Sequence, residues 1–385
     1  MGSVLFCDLT PWYRRCAARS LMPCKCPQPL AVGVPLISFR DRDLEMFICL
    51  SPRDNCDTKM AGADPRANSI VSTALKKSLE KPLHDFYARP RKEFRAQLLR
   101  IGYSLFQPAG EISADDLHNL ERASEAIEAL HTGSLIVDDI EDQSEWRRGA
   151  PTLHLTYGMP TALNAGNWLY FYAFERLRQV QFTGAQASDR KLMLYELTES
   201  ILREAHCGQA LDVGTDMGDL QIQDCGEICR ASLELKSGAL MALALGLGAI
   251  VAGVDAAKLK VLIRRGLDFG VSLQMFDDLG NARVDQPTPK HLEDLKLRRP
   301  SFLWWHCAED QPGEFAAFND AVKCLPDVTP LADFFKRTDL LGTGRRRAQE
   351  FKVRALEQFK TELQPEGAAF QKLCAIAERV SNAYT

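Results

Sequence analysis

His131-Thr-Gly133-Ser134-Leu-Ile-Val-Asp138-Asp139-Ile-Glu141-Asp142-Gln-Ser-Glu-Trp-Arg147-Arg148-Gly149, running on to His154, is the stretch that decides how the rest of the chain is read. Asp138 and Asp142 stand four residues apart, so on a helix their carboxylates share one face. Two carboxylates about 5 Å apart repel by roughly 3 kcal/mol at an effective dielectric near 20, a cost that a cation between them removes. All-oxygen ligands suit Mg²⁺, which binds through one or two carboxylates plus substrate phosphates. Arg147 and Arg148 follow within six residues of Asp142, and guanidinium groups grip phosphate oxygens in pairs. Acids for a metal and arginines for a phosphate arrive together. Taken alone, the cluster also reads as a solvated acidic helix end followed by a basic loop.

The chain has 385 residues, enough for one large domain or two ordinary ones. Charged residues make up 25% and hydrophobic ones 46%, the balance of a globular protein. A formal charge of −4 speaks against a nucleic-acid binder, while small anionic substrates remain open because arginines can be concentrated locally. Of the twelve cysteines, six fall between Cys7 and Cys56; Cys24-Lys-Cys26 lacks zinc-ribbon spacing and no histidine precedes His84. The later six are scattered, as in a reduced intracellular enzyme, so no disulfide framework and a cytoplasmic location are expected.

Residues 1–66 read as a poorly ordered leader of unknown purpose, ahead of an all-helical domain over 67–385. The first forty residues hold one acid, Asp8, against five basic residues, which faintly suggests an organelle transit peptide, though serine is sparse. A start mis-assigned upstream of Met60 is a further open reading. From about Ser69 the signal is helical almost throughout. Leu117, Leu120, Ile127, Leu130 and Ser134 keep a helical period behind Ser113, a candidate N-cap, and lead straight into Asp138. No convincing alternation marks a strand, and the chain reads as all-α. Ser237 to Val254 is eighteen residues without a charge, long enough to cross a membrane but equally suited to a helix packed on all sides; the second reading is preferred, with no transmembrane segment.

A second acidic cluster, Gln274-Met-Phe-Asp277-Asp278-Leu-Gly-Asn281, continues to Asp285, and Asp277, Asn281 and Asp285 again share one helical face. Two such faces can flank a metal cluster from opposite walls of a helical bundle. Together these residues resemble the trans-isoprenyl diphosphate synthases, the polyprenyl synthetases that make geranylgeranyl and related diphosphates. The likeness covers roughly Ser69 to the C-terminus. Asp138-Asp139-Ile-Glu-Asp142 with Arg147-Arg148 looks like the family's first aspartate-rich motif and its arginine pair. Arg91-Lys92-Glu93-Phe94-Arg95 looks like its Gly-Lys-x-x-Arg element, with Arg91 in place of glycine. Gly208-Gln209 with Asp212, Lys236-Ser237 and Gln274 fall where the family keeps polar pocket residues. Asp294 to Ser301 resembles the later basic element, with Arg299 where lysine is usual, and the second acidic motif departs from the usual pattern by ending in Asn281.

The resemblance implies an isoprenoid-synthase helical bundle with a central substrate shaft, and a homodimer. It implies Mg²⁺, three ions to a site, on Asp138, Asp142, Asp277 and Asn281. An allylic diphosphate would ionise there, with Asp138, Asp139, Asp142, Arg147, Lys236, Gln274, Asp277 and Asp278 in the catalytic set. Isopentenyl diphosphate would bind at Lys92, Arg95, His131 and Arg148, with Ser237 and Arg299 completing the substrate contacts. A terpene cyclase on the same fold is the competing reading: Asp277, Asn281 and Asp285 fit the spacing of a cyclase metal motif, and Trp304-Trp305 could offer rings to a cation. A cyclase, however, has no use for an isopentenyl site. A non-catalytic regulatory subunit fits poorly with two intact acidic faces. For product length, a tail leaving Asp138 should run back past Gly133 and Ser134 to Leu130 and Ile127, at about 5.4 Å per turn. In the family it resembles, bulky aromatics here stop growth at fifteen carbons, so their lack at Gly133 and Ser134 implies passage at least to geranylgeranyl length, the expected product, with longer chains open.

Overall fold

The computed structural model describes residues 70–90, 94–107, 112–284, 291–365 and 367–383. The leader over 1–66, Lys92 and Asp285 lie outside the described residues. Helix α1 (Ile70–Leu75) passes through a π turn, Lys76–Glu80, into α2 (Lys81–Tyr87), and α3 (Phe94–Ser104) follows. Next come α4 (Ala114–Glu141) and a small hairpin of β1 (Trp146–Arg147) and β2 (Ala150–Pro151). The middle of the chain supplies α5 (Leu153–Tyr157), α6 (Met159–Arg178), α7 (Ala187–Gly214), α8 (Ile222–Leu233), α9 (Ala239–Val251) and α10 (Ala256–Asn281). The last elements are α11 (Glu293–Lys296), α12 (Phe302–Asp310), α13 (Phe315–Lys323), α14 (Thr329–Thr338), α15 (Leu340–Leu363) and α16 (Gly367–Ala383).

Helix α4 starts where its sequence says it should. Ser113 accepts a hydrogen bond from the Asp116 backbone N–H at 3.1 Å, and Asp115 and Asp116 sit in the first turn, where negative charge complements the helix dipole. Leu120, Ile127 and Leu130 are buried as the period requires, but Leu117 is 39% exposed, one turn too early to reach the core. Twenty-eight residues at 1.5 Å each carry the chain about 42 Å, so Asp138 and Asp142 are delivered at the far end of a rigid rod.

The uncharged segment expected to be packed on all sides is so packed. All thirteen residues of α9 are buried, with α3, α4, α7 and α10 as neighbours. The run Ile222–Val251 is long and apolar enough to cross a membrane, yet its apolar window is 78% buried inside the bundle. Between α8 and α9 the helix widens into a π turn, Glu234–Gly238, an insertion that re-aims side chains and often marks a functional site; Lys236 and Ser237 ride on it.

A second core lies under the C-terminal half, where Phe302, Trp304, Phe318, Phe334 and Leu340 bury themselves with Met217, Cys225 and Cys229. Trp304 and Trp305 belong to this core. Trp304 packs against Phe315 and Phe318 with ring centroids 5.7 and 4.7 Å away, and Trp305 is only 4% exposed. The rings that the cyclase reading could have used are spent on packing. All six later cysteines are free thiols.

Candidate active site

A cavity of 710 Å³ opens between α4, α7, the π turn and α10, with α16 at its rim. Asp138, Glu141 and Asp142 line it from the end of α4, and Gln209 from α7. Lys236 and Ser237 come from the π turn, Gln274, Asp277 and Asn281 from the end of α10, and Glu293 and Asp294 from α11. The two acidic clusters, separated by more than 130 residues, thus face one space.

Asp138, Asp142 and Asp212 bring one ligand oxygen each to within 4.8 Å of one another. Asp138 accepts from Lys236 Nζ at 3.0 Å, from Gln209 Nε2 at 3.3 Å and from Arg147 Nη2 at 3.2 Å. Lys236 Nζ also donates to Asp212 at 2.6 Å. Burial alone would lower the Lys236 pKa, but Asp138 and Asp212 outweigh it and hold the ammonium raised. Burial, then the neighbouring Asp138 charge, pushes the Asp142 carboxyl up to about 7. Its buried Oδ1 accepts no hydrogen bond, and its nearest cation, Arg299, stands 3.6 Å away. Crowded acids of this kind, one of them with an unused buried oxygen, fit a hard divalent cation such as Mg²⁺. Gly208 makes the geometry possible: a Cβ there would come within 2.5 Å of the Lys236 backbone nitrogen, so only glycine lets α7 approach the π turn this closely.

On the opposite wall Asp277 receives hydrogen bonds of 3.4 Å from both Gln274 Nε2 and Asn281 Nδ2. Asp278 turns away. It is 4% exposed, accepts from the Phe302 backbone N–H at 2.7 Å and from Gln274 at 2.8 Å, and is held well above the usual carboxylate range by burial and then by Asp294. Asp139 is likewise 1% exposed, and its Oδ1 accepts from Arg147 Nε at 2.5 Å. Both were expected in the catalytic set; neither lines the cavity, because successive helical residues point about 100° apart and the second acid of each pair rotates into the core. They act as struts, Asp139 for Arg147 and Asp278 for the start of α12.

The arginine pair is presented by the hairpin, which the all-α reading did not anticipate. Trp146 pairs with Pro151 and Arg147 with Ala150, leaving Arg148 and Gly149 as a two-residue loop. Their φ values, 55° and 78°, are the positive pair that such a turn demands. Glycine takes this conformation freely, whereas Arg148 is held in it against steric preference.

Arg95, His131 and Arg147 line the basic end of the cavity. The His131 imidazole is driven well below its ordinary value, first by burial and then by the charges of Arg95, Arg148 and Arg147. Burial brings Arg95 down to about 10, with Glu128 opposing and Arg148 adding to the fall. Cations crowded about a neutral imidazole call for an anion. Arg299, expected on the substrate, instead donates to the Asp212 backbone carbonyl at 3.0 Å and does not line the cavity.

Of the residues expected along the tail's route, Ser134 and Leu130 line the cavity, while Ile127 and Gly133 do not. Gly133 faces α6, where a Cβ would come 2.8 Å from the Gly166 carbonyl oxygen and 3.2 Å from Leu169 Cβ. The cavity wall also includes Tyr170 and His206, whose rings meet at 5.4 Å, and Leu202, Met241 and Leu273, none of which the sequence singled out.

The polyprenyl synthetase family model matches residues 76–327. A geranylgeranyl diphosphate synthase of Sulfolobus acidocaldarius is 30% identical over 220 residues, 57% of this chain and 62% of that enzyme. A geranylfarnesyl diphosphate synthase of Natronomonas pharaonis is 31% identical over 329 residues, covering 77% of this chain and 93% of that enzyme. Against the first of these the chain spans less than two thirds of the relative's length. The fold matches that of a geranylgeranyl pyrophosphate synthase from Corynebacterium glutamicum, crystallised with isoprenyl diphosphate and magnesium, with a TM-score of 0.63 at 18% identity over 78% of this chain and 90% of that one.

Proposed function

The chain belongs to the polyprenyl synthetase family of trans-prenyltransferases, and we propose that it condenses isopentenyl diphosphate with an allylic diphosphate to give a longer all-trans prenyl diphosphate, geranylgeranyl diphosphate being the expected product. The observation that carries this reading is that two acidic walls share one cavity with a basic end at Arg95 and His131, where the charge of Arg148, which does not itself line the cavity, also bears on the imidazole. A cyclase ionises one diphosphate and would leave the basic end without a ligand.

Asp138, Asp142, Asp277 and Asn281 would hold Mg²⁺, three ions to a site in this reading. Bound there, the metal supplies Lewis-acid stabilisation of the charge that grows on a departing diphosphate. Arg147, pinned by Asp138 and Asp139, and Lys236, pinned by Asp138 and Asp212, present fixed donors to the same leaving group at no reorganisation cost. Gln274 completes that set. Arg95, His131 and Arg148, with Lys92 three residues ahead of Arg95, would hold the diphosphate of isopentenyl diphosphate, His131 as a neutral imidazole. Ser134 and Leu130 face the allylic tail, and the apolar walls keep water from the reacting carbons.

The geranylfarnesyl activity of the Natronomonas relative and the geranylgeranyl activity of the Sulfolobus one both fit a cavity whose wall is small at Ser134. A second copy of the chain is the fitting cover for α6, which exposes Met159, Leu163 and Phe171 on one face, Phe171 at 75%. The test is to incubate the purified chain with Mg²⁺, isopentenyl diphosphate and dimethylallyl, geranyl or farnesyl diphosphate in turn, and to analyse hydrolysed products by chain length. Twenty-carbon prenol is expected. Hydrocarbon released from an allylic diphosphate alone, with no isopentenyl incorporation, would overturn the assignment.

A further inference from the structure

We infer that Arg89 is a positioning residue for the second diphosphate site, acting through Arg148; the inference rests on the functional reading above. Arg89 does not line the cavity. Its Nη1 donates to the Arg147 carbonyl at 3.1 Å and its Nη2 to the Pro151 carbonyl at 2.8 Å. One planar fork therefore clamps both strands of the hairpin, Arg147 from the first and Pro151 from the second. A hairpin with strands of two residues has almost no stability of its own, and this one carries a non-glycine residue at φ 55° in its loop. An external clamp is what such a turn requires.

The two arginines of the pair differ in how they are held. Arg147 is fixed by the carboxylates of Asp138 and Asp139 whatever happens to the hairpin backbone. Arg148 is at the turn itself, its guanidinium carbon 5.0 Å from the centroid of the fully buried Phe86 ring, and the Arg89 guanidinium carbon lies 5.2 Å from the same centroid. Phe86 and Arg89 come from the end of α2 and the residues just after it, immediately ahead of the segment that leads to Arg95. Arg89 thereby fixes the hairpin whose loop aims Arg148. Loss of the clamp should fall on Arg148 and spare Arg147.

Calorimetric titration of isopentenyl diphosphate alone, which cannot condense without an allylic partner, tests this on the full chain. The proteins compared are the wild type, Arg89→Ala, Arg89→Lys, Arg148→Ala and the Arg89→Ala/Arg148→Ala double variant, each checked for folding by thermal melt. Arg89→Ala should weaken binding by about tenfold, the scale of one lost charge-assisted hydrogen bond. Arg89→Lys, which keeps the charge without the planar fork, should recover less than half of the logarithmic loss. In the Arg148→Ala background the second substitution should change binding by less than about twofold, because the two act as one unit. Unchanged binding in Arg89→Ala, full rescue by lysine or multiplicative losses in the double variant would each overturn the inference. If Arg89→Ala fails to fold, Arg89→Lys with and without Arg148→Ala carries the same test. A wild-type chain that binds no isopentenyl diphosphate overturns the functional reading and this inference together, whereas wild-type binding with an unaffected Arg89→Ala overturns only the inference.

Discussion

Replacing Ser134 with phenylalanine should shorten the product, while replacing its neighbour Gly133 should damage the fold. Ser134 lies one helical turn before Asp138, about 6 Å along α4 at 1.5 Å per residue, and it lines the cavity; Leu130 follows at about 12 Å. Each turn matches roughly one isoprene unit, so a ring entering at Ser134 should obstruct the growing tail well above Leu130 and shift the main product from twenty carbons to fifteen. The serine is half-buried and its hydroxyl donates only to the His131 carbonyl at 2.8 Å, so the ring can enter open space at a cost of under about 2 kcal/mol. At Gly133 the same ring would start 2.8 Å from the Gly166 carbonyl oxygen and force α4 from α6, with an overpacking cost at or above about 3 kcal/mol. At roughly 2 to 4 °C per kcal/mol, the melting temperature of Gly133→Phe should fall by at least about 6 °C. Product chromatography from isopentenyl and dimethylallyl diphosphates, paired with thermal melts of both variants, reads the two effects separately. A folded Ser134→Phe enzyme with the wild-type product would show that the tail does not run along α4, and an unperturbed melt for Gly133→Phe would refute the packing argument.

Other outcomes follow from the same geometry. Asp138→Ala should cut kcat by at least about a hundredfold while leaving the melt within a few degrees, because it removes a cavity carboxylate rather than a core contact; full activity at saturating Mg²⁺ would sink the metal assignment. Arg95→Ala should raise KM for isopentenyl diphosphate by about tenfold or more and leave the allylic KM within about threefold, as initial-rate kinetics would show. Mg²⁺ at a hundred times its dissociation constant should stabilise the chain by about 2.7 kcal/mol, seen as a higher melting temperature that Asp138→Ala no longer gains. Phe171→Glu should turn a dimer into a monomer on analytical ultracentrifugation, and a wild-type monomer would contradict the second-copy reading of α6.

The helical architecture was legible because it rests on periodicity and composition. Ser113 announced the start of α4, the charge-free run announced α9, and the spacing of both acidic clusters announced the two acidic walls of the cavity. What the spacing could not supply was the rotation of each helix about its axis. Asp139 and Asp278 carry the same chemistry as Asp138 and Asp277, and only the packing of α4 and α10 sends them into the core. Gly133 looked like a gap in the shaft, yet small size served a helix crossing instead. The hairpin was invisible because two-residue strands have no alternation to detect, although Arg148-Gly149 is a turn-forming pair. Arg89 sits in no pattern at all; its role depends on carbonyls some sixty residues away. Arg299 carried the charge expected of a substrate ligand, but the fold spends it on the acidic wall.

The most direct measurement is transfer of label from ¹⁴C-isopentenyl diphosphate into acid-labile prenyl diphosphate by the purified chain, with farnesyl diphosphate and Mg²⁺ each present or omitted. Incorporation that needs both additions, with the label in a twenty-carbon product, is what two facing acidic walls and a separate cationic site predict. Absence of incorporation under every condition, or release of hydrocarbon without label, would contradict a two-diphosphate active site.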